Sequence, residues 1–204
     1  MNPMKDFVIT ISREYGSGGH DIGRRLAELL DVPFYDREIV ELTAQQHNLD
    51  ADNLLDMEEQ SRTPLPFGLG GLGVASDNSD RLFVLQSQTI IQLARKPCVI
   101  VGRCADFVLR DHPGRYSFFI YSGLKQRLAH TQQHHRTYRN AGAQEVARMD
   151  QRRAAYYKYF TGQEWGKPAN YHLCIDSSML GPRTADILAA YVQLAAKDRP
   201  EGGN

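Results

Sequence analysis

The stretch Thr10–Leu30, TISREYGSGGHDIGRRLAELL, decides the fold. Just upstream, Phe7–Ile11 (FVITI) is short, apolar and β-branched, which is strand chemistry. Downstream, Ile22, Leu26, Leu29 and Leu30 recur at i, i+4, i+7 and i+8, so Asp21–Leu30 should be an amphipathic helix. Between the two lies Gly16-Ser17-Gly18-Gly19. Glycines at a strand-to-helix turn permit positive φ angles and close backbone approach. The N–H groups at the helix start and the helix dipole attract an anion such as phosphate. A tight turn without a ligand is the plain alternative.

Outward from this unit the same alternation repeats. Val32–Tyr35, Cys98–Val101, Tyr116–Tyr121 and Tyr171–Asp176 read as further strands. CVIV at 98–101 is apolar at every position, which suits a strand buried on both faces. Asp36–His47, Asp77–Lys96, Leu124–His135, Ala143–Phe160 and Arg183–Lys197 carry helical patterns. Strands alternating with helices predict right-handed βαβ units, hence an α/β fold with a parallel sheet covered on both faces. One segment breaks the pattern. Thr63–Gly73, TPLPFGLGGLG, reads as a mobile loop inside a helical insertion over about residues 48–90, or as an irregular linker with no role. The tail at 199–204 should be disordered, and no internal repeat is visible.

Composition narrows the function. The 204 residues hold 24 Lys+Arg against 24 Asp+Glu, a net charge of zero, which argues against a general nucleic-acid binder. The 42% hydrophobic content argues against disorder, and no apolar run is long enough to span a membrane. The N-terminus has no secretory pattern, and the three cysteines, Cys98, Cys104 and Cys174, have no metal-ligand spacing. A cytoplasmic protein with reduced cysteines is the expectation. His130 and His134 stand at i, i+4, but with no HExxH and no third ligand in view, so no metal site is expected.

The glycine-rich turn matches neither familiar phosphate motif in full. In GxxxxGK[ST], Gly16-Ser17-Gly18 would be the closing glycines, and the lysine position falls on Gly19, followed by His20 and Asp21. In GxGxxG the third glycine falls on Asp21, although Asp36 stands about where an acidic residue would hold a ribose. A nicotinamide-binding oxidoreductase is therefore a weaker alternative. Three other groups invite a ligand. Gly102-Arg103 follows the buried strand CVIV, where open α/β sheets bind ligands. Arg148, Asp150, Arg152 and Arg153 cluster in ARMDQRRAAYYKYF, and forked guanidiniums can clamp a transferring phosphoryl group. A solvated charged face would explain them too. Tyr156, Tyr157, Tyr159, Phe160 and Trp165 supply aromatic surface for a core or for stacking a base.

Taken together, REYGSGG, FYDREIVELTA, VIVGRCAD, YYKYFTGQEWG and YHLCIDSSMLG resemble the cytidylate kinase-like family of the P-loop nucleoside monophosphate kinases, over about residues 7–195. The resemblance implies a P-loop NTPase-like three-layer αβα fold with a five-stranded parallel sheet. It implies one kinase-like domain over 1–198, with a helical substrate-binding insertion and a lid at about 125–165. ATP would sit on Gly16, Ser17, Gly18, Gly19, His20 and Asp21, with Mg²⁺ as its companion. A monophosphate acceptor, CMP or dCMP, would lie near Asp36, Arg37 and Arg103. Asp150 and Arg153 match the D-x-x-R of the lid, where the aspartate contacts the nucleotide. Arg148 falls on a lid arginine, and Arg148 or Arg152 would join Arg153 in stabilising the transition state.

Departures from authentic cytidylate kinases shape the expectation. The lysine is Gly19, the magnesium-ligating threonine is Asp21, and the carboxylates flanking Gly-Arg are Val101 and Cys104. The branch usually carries arginine where this chain has His20, and a histidine at a helix N-terminus is biased towards its neutral form. Arg13, at the end of the first strand, is the preferred substitute cation, ahead of Arg24 and Arg25. Asp21, Asp36 and Asp106 are the carboxylates left to orient Mg²⁺. The expected activity is transfer of the ATP γ-phosphate to a nucleoside monophosphate. The alternative is a non-catalytic nucleotide-binding or sensor protein with a degenerate P-loop. Partners would be small nucleotides, with monomer and homodimer both open.

Overall fold

The computed structural model describes residues 7–50, 54, 74–134 and 142–197. Its strands are β1 (Val8–Arg13), β2 (Phe34–Tyr35), β3 (Cys98–Val101), β4 (Arg115–Tyr121) and β5 (Leu173–Asp176). Its helices are α1 (Gly19–Leu30), α2 (Glu38–His47), α3 (Val74–Leu93), α4 (Ala105–Val108), α5 (Leu124–His134), α6 (Ala143–Thr161) and α7 (Thr184–Lys197). The strands form one parallel sheet in the order β2-β3-β1-β4-β5. β2 does not adjoin β1, which departs from the strand order of the doubly wound dinucleotide folds. The oxidoreductase alternative loses its scaffold with it.

The two-residue period of the strands builds both layers. Ile9 and Ile11 of β1, Val99 and Val101 of β3, and Phe118 and Ile120 of β4 face one side. There they pack on Ile22 and Leu26 of α1 and on Leu188 and Val192 of α7. The alternate residues Val8, Cys98 and Ile100 face the other side and pack on Ile39 of α2, Ile90 of α3, and Ala105 and Leu109 at α4. Each fully buried aliphatic side chain contributes about 1.5–3 kcal/mol, and Thr10, the polar residue inside β1, is buried with its hydroxyl donating to Tyr116 O at 3.4 Å.

The observed elements follow the expected ones closely, with ends differing by at most three residues. α4 is new: four residues after Gly102-Arg103 form a short turn of helix. The Pro/Gly segment at 63–73, most of the insertion expected at 48–90, the stretch 135–141 and the tail at 199–204 lie outside the described residues.

Candidate functional site

Side-chain alternation also decides what the end of β1 offers. Arg13 follows Ile11 onto the α1 side, and Ser12 falls on the α4 side. The chain then turns through Gly16 (φ 78°) and Gly18 (φ 75°), both left-handed. Ile22 is the first residue to bond into the α1 ladder, its N–H reaching Gly18 O at 2.9 Å. The amides of Gly19, His20 and Asp21 precede that ladder, so the helix presents its N-terminal donors at the carboxyl end of the sheet. Ser177 holds the turn from behind, its hydroxyl donating to Ser17 O at 2.8 Å.

A crevice of about 710 Å³ opens there. The turn, the ends of β1, β2 and β3, and one face of α6 enclose it. Among the residues expected at the site, Arg13, Gly16, Gly18, Gly19, His20, Asp21, Asp36, Arg37, Arg103, Arg152 and Arg153 line it. Ser17, Arg148 and Asp150 do not. Arg148 instead makes a two-point ion pair with Glu145 on the outer side of α6, at 2.6 and 2.8 Å. That pair sits one turn apart on the same helix, so the i, i+4 relation of Arg148 to Arg152 did not carry Arg148 into the crevice.

Asp150 is engaged in holding α6 down. It accepts from Tyr15 N–H at 2.7 Å and pairs with Arg127. Arg127 is buried in α5, and its guanidinium also donates to Tyr15 O at 2.8 Å and meets Glu14 at 3.1 Å. Nothing in the sequence singled out Arg127. It lies in a helix of weak apolar pattern, and its partners are 23 and about a hundred residues away.

The floor is a chain of charges. Asp36 accepts from His20 Nδ1 at 2.6 Å and meets Arg13 Nη2 at 3.5 Å. Arg103 Nε donates to Asp36 O at 3.2 Å. Burial would raise the Asp36 carboxyl, but the His20 hydrogen bond and the Arg13 and Arg103 charges hold it down at about 2. Arg24 Nη2 lies 2.6 Å from His20 Nε2. A guanidinium can only donate, so Nε2 accepts and the proton sits on Nδ1, facing Asp36. His20 in this arrangement is neutral and occupied on both nitrogens. Asp21 accepts from His130 Nε2 at 3.0 Å across the turn. Arg153 bridges to the floor, its Nη1 donating to Arg13 O at 2.8 Å while its guanidinium lies 5.4 Å from the Tyr15 ring centroid. Arg152 Nε is buried with no hydrogen-bond partner among the described residues.

The exit from β3 is strained. Gly102, Arg103 and Cys104 all have positive φ, at 78°, 55° and 53°. Two non-glycine residues in that region mark a backbone held against its preference, a pattern common at functional sites. The turn aims Arg103 back towards Asp36.

On the other face of β1, Asp106 is sealed. Tyr157 of α6 donates to it at 2.6 Å, and Ser12 reaches it at 3.4 Å. Burial pushes its carboxyl up, against the Tyr157 and Ser12 hydrogen bonds and the Arg115 charge. Asp106 does not line the crevice, which removes it from the carboxylates expected to orient a metal.

The donor set fits a phosphorylated ligand: the amides that precede the α1 ladder, six arginines, and four glycines lining the crevice. No cluster of three or more metal-ligating side chains occurs among the described residues. Mg²⁺ commonly takes one or two carboxylates and completes its shell from water and phosphate, and Asp21 and Asp36 could supply that much.

Comparison with known proteins agrees with the topology. A family model described as "Cytidylate kinase-like family" matches residues 8–179. None of the curated proteins matches the chain. A solved structure of an uncharacterized protein from Eubacterium ventriosum is 25% identical, with TM-score 0.70, covering 93% of this chain and 99% of that one. Shikimate kinase from Acinetobacter baumannii, solved with shikimate, has TM-score 0.54 at 14% identity, covering 94% of this chain and 95% of its own. A gluconokinase from Sinorhizobium meliloti has TM-score 0.54 at 16% identity, with 95% of each chain covered. The last two likenesses speak for the fold alone. The glycine-rich turn feeding α1, the β2-β3-β1-β4-β5 sheet and the match over 8–179 place this chain in the cytidylate kinase-like family, with the kinase fold of the P-loop type.

Proposed function

We propose that this chain is an ATP-dependent phosphotransferase that moves the γ-phosphate to a nucleoside monophosphate, with CMP or dCMP the favoured acceptor. The carrying observation is the crevice itself: helix amides and Arg13, Arg103, Arg152 and Arg153 converge on one space of about 710 Å³. Phosphoryl transfer needs mainly positioning and charge neutralisation, and this lining offers both. ATP, with Mg²⁺, would supply the transferable phosphoryl group. Gly16, Gly18, Gly19, His20 and Asp21 would hold its phosphates through backbone amides, with Asp21 and Asp36 available to the metal. Arg103 and Arg37 would meet the acceptor's phosphate at the ends of β3 and β2. Arg153 and Arg152 would neutralise the charge that develops between them. Arg148 and Asp150 would serve α6 rather than the ligand. No general base is required, because an acceptor phosphate is already ionised at neutral pH. In this reading 125–165 acts as a lid, 48–90 as the acceptor-side insertion, and 1–198 as one domain. The protein would work in the cytoplasm.

The neutral, doubly bonded His20 and the glycine at 19 favour a second reading, a nucleotide-binding or sensor protein without turnover. A coupled assay of ADP release separates the two. The panel would hold CMP, dCMP, UMP, AMP and GMP, with shikimate and gluconate as non-nucleotide acceptors. Turnover with CMP or dCMP above the acceptor-free background supports the kinase. ATP binding by calorimetry with no turnover on any acceptor supports the sensor.

A further inference from the structure

Gly19 looks like a loss when the turn is compared with a P-loop, because it stands in the lysine position. Its surroundings say otherwise. A Cβ at position 19 would lie 2.5 Å from Arg13 Cβ and 2.7 Å from Arg13 Cγ. The Cβ of a strand residue is fixed by the backbone, so no change of rotamer relieves that contact. A Cβ at position 102 would lie 2.3 Å from Arg13 Nη1. The Arg13 side chain therefore runs through a slot between the start of α1 and the exit of β3, and both walls of the slot are glycine. It emerges in the crevice with about a fifth of its side chain exposed and meets Asp36 at 3.5 Å, long for a charge-assisted bond.

We infer that Arg13, reaching in from the end of β1, is the cation that meets the ligand's β- and γ-phosphates, and that Gly19 and Gly102 are the clearance it needs. This rests on the phosphotransferase reading of the crevice. His20 is neutral and tied on both ring nitrogens, and Arg103 and Arg153 spend donors on backbone carbonyls. Arg13 lies alongside the first residue of α1, where the lysine of a P-loop would start. The charge has moved from the helix to the strand, and a residue without a side chain at 19 is the condition for the move. Arginine in that slot also offers a fork of donors where lysine would offer a point charge. Asp36 balances Arg13 when no anion is present.

Calorimetric titration with inorganic tripolyphosphate and with ATP tests the assignment, with circular dichroism confirming the fold of each variant. Arg13→Ala should weaken both ligands on the order of 30-fold. Arg13→Gln, which removes the charge but keeps the aliphatic stem and some hydrogen bonding, should do nearly the same and serves if the alanine variant unfolds. Gly19→Lys alone should lower Tm and weaken binding, because it collides with Arg13. Combined as Arg13→Gly with Gly19→Lys, which removes the Cβ at 13 as well, the pair should regain on the order of tenfold over Arg13→Gly alone, by returning the charge to the helix. Unchanged affinity in Arg13→Ala and Arg13→Gln, with a wild type that binds ATP and turns over, overturns this inference and leaves the phosphotransferase reading standing. A wild type that binds neither ATP nor tripolyphosphate overturns both.

Discussion

Asp36 and Asp106 are reached from adjacent residues of one strand, and their surroundings have opposite effects on them. Arg13 leads to Asp36 on the α1 face, where His20, Arg13 and Arg103 keep the carboxylate ionised down to about pH 2. Ser12 leads to Asp106 on the α4 face, where burial raises the carboxyl and a tyrosine hydroxyl stands in for a cation. The first arrangement keeps charge available at the rim of a crevice. The second spends a carboxyl on fastening α6 to the sheet, as Asp150 does on fastening α6 to α5 and the turn. The difference teaches that the acidic residues near this site divide by the face of β1 they meet, not by their distance along the chain.

The largest effect should come from the fastening side. Arg127→Met leaves Asp150 and Glu14 without their buried partner and should cost about 3 kcal/mol in urea unfolding. A cost near zero would dissolve the distinction between fastening and floor. Tyr157→Phe removes the short bond to Asp106 and should cost about 2 kcal/mol by the same measurement.

Asp36→Asn acts on the floor, and its signature is pH dependence. The folded carboxyl sits at about 2 against an ordinary 3.8, so it binds protons less readily folded than unfolded. Its contribution is present above about pH 4 and is lost as pH falls towards 2, and is worth about 1–2 kcal/mol. The asparagine variant should show a flatter acid limb in unfolding experiments between pH 2 and 4. Asp106 has the opposite sign: its raised carboxyl is a burden that grows as pH rises above about 4, so Asp106→Asn should not flatten the acid limb in this way. The smallest effect should be at Arg24, which is exposed. Arg24→Ala should change stability by less than about 0.5 kcal/mol. Nitrogen chemical shifts of His20 should report the Nδ1-protonated tautomer in the wild type, and a loss of that preference in the variant would confirm who sets it.

The period of the strands made most of this fold legible. CVIV is apolar at every position because β3 is central and covered on both faces, and its ends were read to the residue. The glycine turn and the α1 stripe were equally plain, because a strand, a turn and an amphipathic helix each leave a local signature. Arg13 was readable as a candidate from its place at a strand end. Its slot was not, since the Gly102 wall lies 89 positions away in sequence. Arg127, the His130–Asp21 pair and the Tyr157–Asp106 bond left no trace for the same reason: each joins elements brought together only by tertiary packing. Arg148 misled because three arginines on one helix share composition but not direction.

The left-handed run at Gly102, Arg103 and Cys104 has a consequence for anyone who engineers this protein. Arg103→Gly would relieve about 1 kcal/mol of backbone strain, partly offset by a freer unfolded chain. A screen that scores heat resistance alone would therefore retain that variant and discard a guanidinium from the crevice. Selecting this protein for toughness would, at this one position, select against the very group the fold is bent to present.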